Sequence, residues 1–169
     1  MQWSGITPGN VTAKTKFVGV FALCSVVTMA VGTSAGPSAQ ADARATGIYV
    51  GVNQQRQACG AVSEDARLTA AAQRHADDML RNSAFSHTGS DGSSPRARMS
   101  DAGYGSAGST GEIVFWATGS AATAESAIAF WMQSPGHRAI ILNCGFTAGG
   151  FATASDGNMM TAVGDFAGP

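Results

Sequence analysis

Ser134-Pro135-Gly136-His137-Arg138-Ala139-Ile140-Ile141-Leu142-Asn143-Cys144 is the stretch whose reading decides the fold. Pro135 suits a first helical turn, where a missing N–H loses no bond, and Ser134 stands before it as a cap. Ile140, Ile141 and Leu142 form an apolar anchor. The stretch reads as a short buried helix that presents His137 at its entry and ties down Cys144 at its exit. It holds one of three histidines and one of three cysteines, so partners must be sought elsewhere.

A chain of 169 residues argues for one domain. Hydrophobic content of 44% and charge of only 12%, with 22 glycines, suit a compact domain with generous loops and exclude a disordered chain. The N-terminus reads as a targeting segment. Lys14 and Lys16 precede an apolar run over 17–31, then a small polar stretch in which Ala39-Gln40-Ala41 fits a cleavage site. Residues 1–41 are therefore expected to be a signal peptide and 42–169 a single domain. The apolar run is shorter than the roughly 20 residues of a membrane span; a retained anchor is the competing reading. Cys24 lies inside that run and would leave with it.

Lys14 and Lys16 are the only lysines, so residues 42–169 carry eight arginines against eleven acidic groups. With no basic run, electrostatic capture of nucleic acid is not expected. Export leaves Cys59 and Cys144, an even pair in an oxidising compartment, which favours a disulfide over two buried thiols. Closing that loop is worth about 4–5 kcal/mol in the chain-entropy model.

In chain order, residues 46–58 carry Ile48 and Val52 at helical spacing, with Gly60 as a stop after Cys59. Asp65 can cap a clearer helix, in which Leu68, Ala72, His75, Ala76 and Met79 share one stripe. His75 on that stripe reads as a packed residue. Residues 83–111 are rich in Gly and Ser, with a short helix opening at Ser94-Pro95 and stopped by Gly103. A loop of this length is usually functional or mobile. Residues 113–116 read as a short strand and 123–133 as a helix with Ala124, Ala127, Ile128 and Trp131 inward. Residues 146–154 and 159–166 alternate around Ser155-Asp156-Gly157-Asn158, a hairpin whose central positions tolerate positive φ. The order predicts an α+β fold with helices packed around a small, mainly antiparallel sheet.

His87 at the entrance of the Gly-rich loop, Glu112 at its exit and His137 are the candidates for chemistry. Two imidazoles and a carboxylate form a zinc-ligand set with an open position for water, or hold one another by hydrogen bonds without metal. No His-Glu-x-x-His helix fixes the set. The single Gly-x-Ser-x-Gly match, residues 32–36, lies in the signal region and follows no strand. No Gly-rich phosphate loop with its Lys is present.

The run Leu68-Thr-Ala-Ala-Ala-Gln-Arg-His75-Ala-Asp-Asp-Met79, then Phe85-Ser-His87-Thr88, Gly111-Glu112, and Trp131-Met-Gln-Ser-Pro-Gly-His137 through Cys144 closely resembles secreted bacterial members of the CAP superfamily. These are the cysteine-rich secretory, antigen and pathogenesis-related proteins, or SCP domains. The likeness covers nearly all of 46–169. It implies an α-β-α sandwich with a small sheet flanked by helices and a central cleft lined by two His and often two Glu, where some members bind Zn²⁺ or another divalent cation. By motif position these are His87, Glu112 and His137. The chain departs from the pattern at Ile113, where Asn commonly follows Gly-Glu, and at Ser134, where the second Glu is expected. One carboxylate fewer holds a cation less tightly. Glu125, on the preceding helix, reads as a solvated helix face. The expectation is an exported monomer acting as a binding module for a small molecule, lipid or envelope component. The other readings are a metal-assisted hydrolase in which His87 and His137 hold the ion and Glu112 is ligand or base, and a purely structural domain.

Overall fold

In the computed structural model, described over residues 37–105 and 108–169, five helices enclose a four-stranded sheet. The expected signal segment lies outside the described residues up to residue 36, while Ala39-Gln40-Ala41 falls inside the first helix. In chain order the elements are α1 (Pro37–Gln55), β1 (Ser63–Glu64), α2 (Ala66–Asn82), α3 (Pro95–Asp101), β2 (Thr110–Thr118), α4 (Ala124–Gln133), α5 (Pro135–Ile141), β3 (Ala148–Ser155) and β4 (Met159–Ala167). The sheet order is β1-β3-β4-β2; only the two-residue β1 runs parallel to its neighbour.

Alternation along the strands divides the interior in two. Ile113 and Phe115 of β2, Phe151 of β3 and Met160, Ala162 and Phe166 of β4 pack on Ile48 and Val52 of α1, Ala127 and Trp131 of α4 and Ile141 of α5. Val114, Ala152, Ala154 and Val163 point the other way, onto Ala72, Ala76 and Met79 of α2. The second layer is Ala-rich, so α2 sits close to the sheet. A Cβ on Gly150 would collide with the backbone of Leu68 and Thr69. The expected α-β-α sandwich is thus observed.

Asp65 caps α2 by accepting from the Arg67 N–H, and its paired guanidinium holds its carboxyl at about 2, below the ordinary range. Ser94 caps α3 with Pro95 behind it, and Gly103 takes a positive φ of 86° after it. Other expectations need correcting. α1 starts nine residues earlier than the apolar spacing indicated, and β2 spans Thr110–Thr118, beyond the four residues read as strand. Ser134 occupies the N-cap position of α5 but makes no side-chain capping bond; its N–H instead closes α4 on Phe130 and Trp131. α5 is half-buried rather than buried: Ile141 is in the core, while Cys144 is exposed. In the hairpin turn Gly157 alone takes positive φ, 98°. Asp156 acts through its side chain, accepting from the N–H groups of Asn158 and Met159.

Cys59 and Cys144 form a disulfide with Cα atoms 4.7 Å apart. Beside it the buried Arg56 donates to the carbonyls of Gly60, Ile141, Asn143 and Phe146. The turn after α1 and the turn after α5 are therefore fastened twice. Among the described residues no helix is long and apolar enough to cross a membrane.

Candidate functional site

The loop between α2 and α3 leaves the helix at Ser83, whose φ of 54° turns the chain out of α2. Polar groups, some buried beneath the loop and some at its surface, then pin it. The Nε2–H of His75 donates to the Ser86 carbonyl at 2.7 Å. Asp78 accepts from the Ser90 N–H, Arg74 bridges Asp91 and Asp101, and Arg98 donates to the Ser93 carbonyl. His87 is thus presented on a fixed loop with half of its side chain, 51%, exposed.

Glu112 comes from the edge strand β2, on the face turned to α2, and is fully withdrawn from solvent. Its Oε2 lies 2.6 Å from Arg98 Nη2 and its Oε1 2.8 Å from His87 Nδ1. His75 Nε2 stands 4.0 Å away. Asp165 is opposite Glu112 across the β2–β4 pair and completely buried, with no donor to either carboxyl oxygen. Burial first, then the neighbouring Glu112 charge, pushes its pKa well up, against the pull of Arg98. Burial also lowers the pKa of His75, so that ring is neutral and its Nδ1 has no partner.

His137 arrives on α5 from the other side of the sheet edge, its ring 5.6 Å from that of Phe130. Burial lowers its pKa, and the charge of His87 lowers it further, so the two imidazoles act on each other electrostatically. Its Nδ1 is buried without a partner. Beside His87 and Glu112 a surface depression of about 320 Å³ runs past Ser94, Pro95, Thr110 and Gly111. Trp116, two pleats along β2 from Glu112, is 43% exposed and stacks on Phe85, while Phe130 is 48% exposed.

Of the expected residues, then, His87 and Glu112 are in direct contact, His137 is coupled to His87, and Ser134 contributes only its backbone to the α4–α5 junction. Among the described residues no three His, Cys, Asp or Glu side chains are arranged to hold a metal ion. Both Glu112 oxygens are engaged, Oε1 with His87 and Oε2 with Arg98. Sequence reasoning missed Arg98 and Asp165. Nothing distinguishes Arg98 from the nearby Arg96 along α3. Asp165 did leave a signal, an acid on the inward register of an apolar strand, two residues from Val163 and Ala167.

A three-layer sandwich with a buried carboxylate holding a histidine at the sheet edge defines a class of α+β domain, and the sequence falls within it. The chain belongs to the CAP, cysteine-rich secretory protein family, whose profile matches residues 38–166. No curated protein matches the sequence. Solved structures share the fold. An extracellular protein containing an SCP domain from Bacillus anthracis superposes with a TM-score of 0.65 at 22% identity, covering 79% of this chain and 43% of its own. An outer surface protein of Borrelia burgdorferi gives 0.62 at 20% identity over 72% and 89%. NaASP2, solved with Zn²⁺, gives 0.52 at 16% over 73% and 78%. The chain thus spans less than half of the Bacillus protein.

Proposed function

We propose that this chain is an exported binding module, residues 42–169 following a signal peptide, whose cleft at the β2 edge receives a small molecule, lipid or cell-envelope component between His87 and His137. The observation that carries this reading is a polar pair, His87 on Glu112, lining a depression of about 320 Å³, with the exposed Phe130 ring 5.6 Å from that of His137. A ligand with a polar head and an apolar body meets both. The disulfide and the extracellular or surface nature of two fold neighbours support export.

A divalent cation at this site would rest on its two imidazoles alone. His137 keeps an uncommitted, buried ring nitrogen, and Glu112 backs His87 as an outer-sphere carboxylate, a common partner of metal-bound histidine. His87 and His137 would hold the ion, Glu112 would orient His87, and Ser134 supplies no charge where a second carboxylate would strengthen binding. A bound ion there supplies Lewis acidity and activates water. The second reading, a hydrolase of peptide or envelope substrates, draws on the same 2.8 Å Glu112–His87 contact, which suits His87 to take a proton from water.

Thermal unfolding of residues 42–169 with added Zn²⁺ tests the cation. A rise that grows with Zn²⁺ and disappears in the His87→Ala/His137→Ala variant is expected; a full rise in that variant refutes the site. Acid should weaken the response as imidazoles gain protons, with His137 staying neutral further into acid than an exposed imidazole. Turnover of peptide or glycan substrates that needs both Glu112 and His87 would favour the hydrolase.

A further inference from the structure

Arg98 holds two things at once. Its Nη2 donates to Glu112 Oε2 at 2.6 Å and to the His87 carbonyl at 3.0 Å, and its Nη1 donates to the Ser93 carbonyl at 2.8 Å and to Ser93 Oγ at 3.3 Å. The guanidinium is 1% exposed. One planar fork therefore fixes both the side chain that meets the His87 ring and the backbone that carries it. A lysine, with a single ammonium point, cannot span these acceptors.

The consequence lies in the imidazole. In its buried ion pair with the Arg98 guanidinium Glu112 is a carboxylate, and both of its oxygens accept. The His87 nitrogen 2.8 Å away must then carry its hydrogen, so Nδ1 is the donor. In the neutral ring the lone pair falls on Nε2. We propose that Arg98 is a positioning residue: by clamping Glu112 and the His87 carbonyl together it locks His87 in the Nδ1–H tautomer and offers Nε2 as the atom that meets a ligand. The proposal deepens the cleft reading and rests on it only for what Nε2 meets.

Histidine-selective ¹⁵N NMR of the full chain reads the tautomer directly, with His87 assigned by its loss in His87→Gln. The wild type should show one form, protonated on Nδ1 and bare on Nε2. Arg98→Lys keeps the charge and loses the fork; it should lose the fixed tautomer and show both forms in exchange, while the His75 and His137 signals stay in place. Arg98→Met should do the same if it folds, and Arg98→Lys decides if it does not. A His87 that remains wholly Nδ1–H in a folded Arg98→Lys protein overturns the proposal, as does a wild type protonated on Nε2. The readout needs no ligand. Adding Zn²⁺ to the wild type then separates the two ideas: a fixed tautomer with no Zn²⁺-dependent change at Nε2 removes the cation and leaves the role of Arg98 standing.

Discussion

Arg56 and Arg98 are both buried, one on each side of the sheet, and they are held in opposite ways. Arg56 lies on the aromatic side and donates only to backbone carbonyls; among the described residues no ion pair reaches it. Burial alone lowers its pKa. It closes the turn after α5 through that turn's backbone carbonyls. Arg98 lies on the α2 side and answers a buried carboxylate. Around it are His75, Glu112 and Asp165, a polar seam within an otherwise Ala-rich layer. The large apolar layer, with Trp131, Phe151 and Phe166, can carry the fold by burial. The thinner layer gives up apolar contact for a fixed arrangement of charge, which a binding cleft needs and a core does not.

The sharpest way to break this comparison is to remove each arginine in turn. Arg98→Met strands the Glu112 carboxylate without its counter-ion and should destabilise by about 3–5 kcal/mol in urea denaturation. Replacing Cys59 and Cys144 with Ser should cost about 2–4 kcal/mol, because the closed loop is long. A loss under about 0.5 kcal/mol would mean that Arg56 alone holds the turn and that the unfolded chain gains little on opening. Arg56→Met should cost about 2–3 kcal/mol, since it leaves neutral carbonyls, two of them buried, without their donor but strands no charge. If Arg56→Met proves the more damaging of the two arginine variants, the assignment of fold to one layer and site to the other is wrong.

Much of the sandwich was legible because its cues are local. The stripe from Leu68 to Met79 is periodic, Asp65 and Ser94 are capping residues at the right offsets, and Asp156-Gly157 sits between two alternating runs. The edges of elements were less legible. α1 runs back to Pro37 through small residues with no apolar stripe, and Thr153 helps hold it there by donating to the Ala41 carbonyl. That bond joins residues 112 positions apart, and no local pattern announces it. The site divides the same way. His87, Glu112 and His137 stood out as rare types in Gly-rich or capped settings. Arg98 did not, because its importance depends on a carboxylate from another strand arriving 2.6 Å away.

Asp165 sharpens the comparison with the smallest and most conditional effect. It is an acid that no donor reaches, sealed under α2, facing Glu112 from β2, to which its retained proton can be donated, and Arg98 from α3. Its pKa is raised in the folded state, by burial and then by Glu112, so the folded chain keeps a proton that the unfolded chain releases near the ordinary carboxyl value. Stability from this residue is therefore whole in acid below that value and is lost as pH rises towards the folded pKa. Asp165→Asn cannot titrate. Against the wild type it should match or fall slightly short in acid, then gain stability progressively as pH rises above the ordinary carboxyl range. Urea midpoints of both proteins across pH 3.5–8 measure this difference directly. A difference that stays flat, or that grows in the wild type's favour with pH, would mean that Asp165 is ionised in the folded chain. Arg98 would then be answering two carboxylates on the α2 side, and the polar seam would be an ion cluster rather than a single pair beside a neutral acid.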